Sequence, residues 1–212
     1  MQMTFRIEEK FFANYNSLDK LFCWIKYRNA IEIYPKRYIS SLYFDSENKQ
    51  SLLDSEEGIV PRKKIRLRSY QKLLDFKKKT YYEMKINSVE GKYKINKAIN
   101  KSDIKRFLSN GIFDPFYGIC KPTIYVTYLR YYFAIEKIRL TIDINISYNA
   151  YQKNKKNNFI IYDDDIVVEI KSQINSDLEN ISRMFPFAKR RFSKYARGML
   201  YLYNQYKNII NS

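Results

Sequence analysis

Histidine is absent from this chain of 212 residues. Without an imidazole there is no Ser-His-Asp triad and no His-rich metal centre. Any metal would sit on oxygen ligands, which favours Mg2+ or Mn2+ over zinc or copper. Cysteine is nearly as scarce. Cys23 and Cys120 stand far apart with no Cys-x-x-Cys spacing, which removes a disulfide framework and a structural zinc site; both are expected as buried apolar thiols. The five glycines form no Gly-rich phosphate loop, so the P-loop and dinucleotide fingerprints are missing and phosphate would have to be gripped by side chains. No apolar run approaches about 18 residues, and the stretch from Met1 to Lys10 mixes both charge signs without an apolar centre. The expectation is a soluble cytoplasmic protein without an integral membrane segment.

Hydrophobic residue types make up 45% of the sequence, enough to bury a core as one domain over residues 1–212. The 39 Lys and Arg against 22 Asp and Glu give a formal charge of +17. Such an excess points to a polyanionic partner: nucleic acid, a phosphate polymer or a membrane surface. Charge alone does not choose among them, so the placement of particular cations carries the argument.

Strand signals dominate. Period-two alternation runs through Ser41-Leu42-Tyr43-Phe44, Lys64-Ile65-Arg66-Leu67-Arg68, Tyr81-Tyr82-Glu83-Met84-Lys85 and Arg139-Leu140-Thr141-Ile142-Asp143. Four helices are predicted between and after the strands. The first opens at Asn16 or Ser17 with Leu18, Leu21, Phe22 and Ile25 on one face. The second is capped by Ser102 with Asp103 in its first turn and stops at Gly111. The third runs from near Ser176 to before Pro186, and the last from about Ser193 towards Ile210 with Met199, Leu202 and Tyr206 as a packed stripe. Tyr151 to Asn158 reads as an exposed turn, and Phe76 to Lys79 as a solvated lysine-rich turn.

Residues at i and i+2 of a strand share a face. Three Glu-x-Lys pairs follow that spacing, Glu8 with Lys10, Glu83 with Lys85 and Glu169 with Lys171; so do Arg66 with Arg68, Tyr128 with Arg130, and Arg139 with Thr141 and Asp143. The opposite faces are apolar. Such strands fit an open sheet whose charged face is solvated and laced with ion pairs. They equally fit a closed barrel with its apolar faces outward under helices and its charged faces inward. Inward cations are costly to desolvate, and a bound chain of phosphates would relieve that cost through charge-assisted hydrogen bonds. RNA binding is a weaker fit to the basic, tyrosine-rich composition, because Tyr70, Tyr82 and Tyr131 mix between faces and no RNP-type segment is present.

The ordered segments FRIEEKFF, SLYFD, KIRLRSY, YYEMKI, PTIYVTYLRYYF, RLTIDINISY, VVEIK and RFSKY resemble the successive motifs of the VTC (vacuolar transporter chaperone) domain family. These are polyphosphate polymerases within the CYTH-like triphosphate tunnel metalloenzymes, and the resemblance covers nearly the whole chain. It implies an α+β, mainly antiparallel β fold: an eight-stranded closed β-barrel, the triphosphate tunnel, with flanking helices. It also implies transfer of the terminal phosphoryl group of ATP or another nucleoside triphosphate to inorganic polyphosphate, with Mn2+ or Mg2+; no nucleic acid is expected as partner, and a membrane-bound partner is left open. The same tunnel with water as nucleophile would be a tripolyphosphatase or nucleoside triphosphatase, and one without turnover a polyphosphate-binding module.

By that resemblance Arg66, Arg68, Arg130, Arg139 and Lys194 are the catalytic clamp, while Lys10, Lys85, Lys94, Tyr128, Arg191, Ser193 and Arg62 bind substrate. Glu169, with Glu8 and Glu83, holds the metal. Lys94 matches only with one residue inserted in the turn from Ser88 to Gly91. Arg191 stands where the family has lysine. An arginine that some members carry upstream of the Arg-x-Arg motif falls near Ser55 and is missing, with Arg62 as the candidate substitute.

Overall fold

The structure, a computed structural model, describes residues 7–72, 79–152, 159–173 and 175–210. Its strands are β1 (Ile7–Asn14), β2 (Ile31–Asp45), β3 (Arg62–Ser69), β4 (Thr80–Ser88), β5 (Gly91–Ile99), β6 (Ile112–Asp114), β7 (Gly118–Ile135), β8 (Ile138–Ala150), β9 (Ile160–Tyr162) and β10 (Asp165–Ser172). Helices α1 (Leu18–Tyr27), α2 (Gln50–Glu57), α3 (Lys101–Asn110), α4 (Asn175–Met184) and α5 (Lys194–Ile210) accompany them. All strand pairs are antiparallel and run in the order β1-β10-β8-β7-β2-β3-β4-β5, with β6 on β7 and β9 on β8. The fold is α+β and mainly antiparallel.

The expected closed barrel is corrected to a curled, open sheet: among the described residues no ladder joins β5 to β1. The free edge of β1 is already taken. Arg190 N–H donates to the Lys10 carbonyl at 2.9 Å, Phe12 N–H donates to the Ala188 carbonyl at 3.2 Å, and Phe11 bridges to Lys189. The extended segment between α4 and α5 therefore occupies the hydrogen-bonding groups that closure would need. The opposite edge, β5, is shielded from further pairing by Lys92, Lys94 and Lys97.

Alternation decides what each face meets. Leu129, Tyr131 and Phe133 of β7, with Leu140 and Ile142 of β8 and Val168 and Ile170 of β10, face outward under α1 and α4. Leu42, Phe44, Ile65 and Leu67 face outward beneath Ile104 and Phe107 of α3. On the inner face, Ile124, Val126, Ile146 and Tyr148 are covered by Tyr195, Met199 and Leu202 of α5. This helix fills one end of the interior. Further along β7 the same inner face becomes Tyr128, Arg130 and Tyr132, which line a cavity.

Helix boundaries follow local chemistry. Helix α1 begins after Ser17, as expected, with Leu21 and Ile25 buried. The cap of α3 is Asn100 and not Ser102: its Oδ1 accepts the Asp103 N–H at 2.8 Å and also takes the Ser102 hydroxyl at 2.6 Å. Gly111 ends that helix at φ +84°, where a Cβ would sit 2.7 Å from the Cys120 carbonyl. Helix α2 has no counterpart in the sequence expectations. It forms because Asp45 accepts the backbone N–H groups of Ser46, Ser51 and Leu52 and also the Tyr195 hydroxyl, which ties α2 to α5. Cys120 is buried as expected, but Cys23 is exposed. The two turns expected at 76–79 and 151–158 fall largely outside the described residues, as does the Tyr206 side chain. No helix among the described residues is long and apolar enough to cross a membrane.

Gly198 is the point at which α5 touches the sheet, since a Cβ there would lie 2.4 Å from Tyr148 Cδ1 and 2.8 Å from Ile124 Cδ1. Gly198→Ala is expected to destabilise the protein by about 1–3 kcal/mol through overpacking. Urea unfolding of the two proteins checks this.

Candidate functional site: a cationic cavity inside the sheet

Charged inner faces of β1, β3, β4, β7, β8 and β10 meet in a cavity of about 1030 Å³. Sixteen Lys and Arg and five Asp and Glu line it among the described residues. Of the fifteen residues expected from sequence, fourteen line it: Lys10, Arg62, Arg66, Arg68, Lys85, Lys94, Tyr128, Arg130, Arg139, Arg191, Ser193, Lys194, Glu8 and Glu169. Glu83 lies behind the wall.

That carboxylate organises one side of the site. Register sets Arg66 of β3 opposite Glu83 of β4, and Arg66 donates from Nε and Nη2 to Glu83 Oε2 at 2.8 and 2.6 Å. Arg68 Nη1 lies 3.3 Å from the same oxygen, and Lys94 donates to Oε1 at 2.7 Å. Burial works to raise the Glu83 pKa, but Arg66, Arg68 and Lys94 overcome it and hold the carboxyl well below the usual carboxylate range. With both oxygens engaged by three cations, Glu83 is a counter-ion rather than an open metal ligand.

Asp143 does the same on the other side. Arg130 sits across from it in the β7–β8 register and donates in bidentate fashion at 2.5 and 2.6 Å, while Lys194 donates at 2.6 Å. Asp143 thus balances Arg130 and Lys194. Tyr128 lies between the two groups, accepting from Arg68 Nη2 at 3.3 Å with Lys194 Nζ 4.7 Å and Arg130 Cζ 5.2 Å from its ring centre. Burial opposes ionisation of its phenol, yet Arg130, Arg68 and Lys194 together pull its pKa below the ordinary tyrosine value.

Lys85, Arg139, Arg191 and Arg62 have no carboxylate within ion-pairing distance among the described residues. Lys85 points into the cavity, where desolvation, then Arg66, push its ammonium well below the usual lysine range. Arg139 Nε is buried with no hydrogen-bond partner among the described residues. Arg191 reaches the Ser55 position, donating to the Ser55 carbonyl at 2.8 Å. Arg62, the expected substitute, spends Nη1 on the Gly58 and Ile59 carbonyls at 3.1 and 2.9 Å.

Lys64 was missed from sequence although it precedes Arg66 by two residues and shares its face. Its Nζ donates to Ser55 Oγ and Ser193 Oγ, both at 2.7 Å. Burial, then Lys10 and Arg62, push its pKa down to about 7. Lys171 was equally legible from the Glu169-x-Lys171 spacing. Arg37 was not: register shifts between Glu32 and Tyr34 and between Tyr34 and Arg37 break the alternation that would have placed it.

Among the described residues no group of three or more His, Cys, Asp or Glu could hold a metal ion. Two carboxylates do converge: Lys171 Nζ lies 3.2 Å from Glu8 and 3.3 Å from Glu169. Burial would raise the Glu169 pKa, but the charges of Lys171 and Arg130 hold it well below the carboxylate range. One or two carboxylates completed by substrate phosphates and water is a common Mg2+ environment, so Glu8 and Glu169 fit a divalent ion.

Solved structures of the same fold include a candidate adenylate cyclase from Bacillus halodurans, 14% identical, covering 90% of this chain and 96% of that one with a TM-score of 0.60. Another, a candidate adenylyl cyclase from Hippeastrum described as having a dominant triphosphatase activity, is 13% identical over 92% of this chain and 95% of that one, with a TM-score of 0.56. A third, a candidate adenylate cyclase from Vibrio parahaemolyticus, is 13% identical over 100% of both chains, TM-score 0.55. No curated protein matches the chain. These likenesses define the class of the chain by its fold, a mainly antiparallel α+β sheet. Within that class, the chain belongs to the VTC domain family, whose model matches residues 5–118 and 117–203.

Glu83→Gln would leave Arg66 and Arg68 buried against a neutral group, and a loss of about 3–5 kcal/mol is expected in chemical denaturation. The lowered Glu83 pKa contributes stability that is present above pH 4.5, its ordinary value, and is lost as pH falls below it. The wild type therefore loses more stability on acidification than the Gln variant does, which acid titrations of both proteins would register.

Proposed function

We propose that the chain is a polyphosphate polymerase, one VTC domain that transfers the terminal phosphoryl group of ATP or another nucleoside triphosphate to a growing inorganic polyphosphate chain. The observation that carries this reading is the imbalance within one cavity. Among the described residues Lys64, Lys85, Arg139 and Arg191 face it without carboxylate partners, while Glu83 and Asp143 fix Arg66, Arg68, Lys94, Arg130 and Lys194 in place. A linear polyanion satisfies such a wall through charge-assisted hydrogen bonds.

Phosphoryl transfer needs alignment and charge stabilisation more than covalent help from the protein. In this reading a terminal phosphate oxygen of the chain forms a bond to the terminal phosphorus of ATP, the bond to the β-phosphate oxygen breaks, and ADP leaves. Arg66, Arg68, Arg130 and Lys194 hold the equatorial oxygens in a geometry preset by Glu83 and Asp143. Lys10, Lys85, Lys94, Arg139, Arg191 and Ser193 align the phosphates on either side. Mn2+ or Mg2+ on Glu169 and Glu8 would add neutralisation of phosphate charge. The chain is expected in the cytoplasm, and a membrane-bound partner is compatible with the reading.

Hydrolysis is the second reading, favoured by the triphosphatase activity described for the Hippeastrum neighbour. Incubation with ATP and Mn2+ followed by gel electrophoresis separates the two. A ladder of long phosphate chains is expected; free phosphate without a ladder would falsify the polymerase assignment. Lys85→Met strands no carboxylate and is expected to weaken tripolyphosphate binding about ten- to 150-fold, the worth of a hydrogen bond to a charged group.

Lys64 gives this binding a pH dependence. An anion favours its protonated form, so the Lys64 contribution is complete below about pH 7, the free protein's value, and is lost as pH rises through the bound value above it. Calorimetry at pH 8 in buffers of different ionisation enthalpy should record proton uptake in the wild type, reduced in Lys64→Met. The difference between the proteins cancels ionisation of the phosphate itself.

A further inference from the structure

The cavity has two chemically different ends. Residues Arg62 and Tyr70 mark them along β3 and its continuation, roughly 26 Å apart at about 3.3 Å per residue. At the Arg62 end the wall is cationic and hydroxylic, with Ser55, Lys64, Lys92 and Arg191. Of its aromatic rings, Phe192 is packed against Phe12 with Lys194 and Arg197 over it, and Tyr93 is half-buried with its hydroxyl donated to Glu90 at 3.1 Å.

At the Tyr70 end the wall is aromatic. Tyr34 and Tyr70 line the cavity and remain 53% and 37% exposed at its mouth, so part of each ring stays open to it, with Tyr81 edge to face on Tyr70 at 5.9 Å. Arg37 fixes them in relation to the interior. Its guanidinium lies 4.2 Å from the Tyr70 ring centre, its Nε donates to Tyr132 Oη at 2.9 Å, and Tyr132 meets Tyr34 edge to face at 5.7 Å. Arg37 has no carboxylate partner among the described residues and so brings an uncompensated positive charge to this mouth.

Between the mouth and the carboxylates lie two polar groups without a hydrogen-bond partner among the described residues. Arg139 Nε and Thr141 Oγ1, two residues apart on the inner face of β8, are both buried without a hydrogen-bond partner, and Thr141 is 2% exposed. Register sets Thr141 directly beside Glu169 on one side and Tyr132 on the other. Two orphaned donors aimed into a cationic cavity, adjoining an arginine-braced pair of exposed rings, describe a phosphate that is followed by something flat.

We infer that the Tyr34, Arg37 and Tyr70 mouth seats the nucleoside of a nucleoside triphosphate, whose phosphates enter past Arg139 and Thr141. The inference rests on the triphosphate reading above and gives that substrate a direction in the cavity. The base stacks on the exposed tyrosine rings, and the Arg62 end is left to the growing phosphate chain. Since every base has a π-face, the seat accepts nucleoside triphosphates as a class.

The test compares ATP with tripolyphosphate, which shares the phosphates and lacks the nucleoside. Affinities of the full chain and of the double variant Tyr34→Ala, Tyr70→Ala are measured for both ligands by calorimetry. The variant is expected to bind ATP about five- to 150-fold more weakly, the range for losing base stacking, with its tripolyphosphate affinity unchanged. That unchanged affinity also reports an intact fold. Equal losses for both ligands, or no loss for either, would overturn the nucleoside seat while leaving the triphosphate reading standing. A wild type that holds neither ligand overturns that reading and this inference with it.

Discussion

Like charges taken out of water must be given opposite charge or be driven apart, and this constraint orders the interior of the protein. Glu83 answers it for Arg66, Arg68 and Lys94, and Asp143 for Arg130 and Lys194. Each carboxylate is almost fully buried, where an unpaired charge is expensive and a well-bonded one is rigid. The cations they hold keep donor hydrogens towards the cavity, so the same ion pairs that permit the fold preset the geometry for an anion.

Neutralisation is deliberately incomplete. Lys85 and Lys64 face the cavity with lowered pKa values, and Arg139 and Thr141 keep buried donors unpaired. A bound phosphate, as proposed, would supply these groups with the partner that the protein itself does not give them. Stability and binding are therefore coupled through the same atoms, as linkage requires of any ligand that prefers the folded state.

The surrounding architecture serves this interior by controlling its ends. Helix α5 packs apolar side chains against β7 and β8 on one part of the inner face and delivers Ser193 and Lys194 to the cavity at its start. The segment at 188–190 takes the edge of β1 and adds Lys189 and Arg190 to the wall. The sheet can remain open between β5 and β1 because that segment and the lysines of β5 satisfy or protect the two edges.

Much of this was legible in the sequence. Period-two alternation determined which side chains share a face, and so assembled Arg66 with Arg68 and Glu169 with Lys171 before any fold was known. It could have added Lys64 on the same grounds. The absence of histidine and of glycine loops determined that side chains and oxygen ligands would do the work. Alternation is local, however, and charge pairing across strands is not. That Glu83 is spent on three cations, that Asp143 belongs to Arg130 and Lys194, that Arg37 reaches the mouth past an irregular strand, and that β1 pairs with residues 188–190 in place of β5 were decided by tertiary structure. Each depends on register between segments far apart in the chain, which the sequence of either segment does not contain.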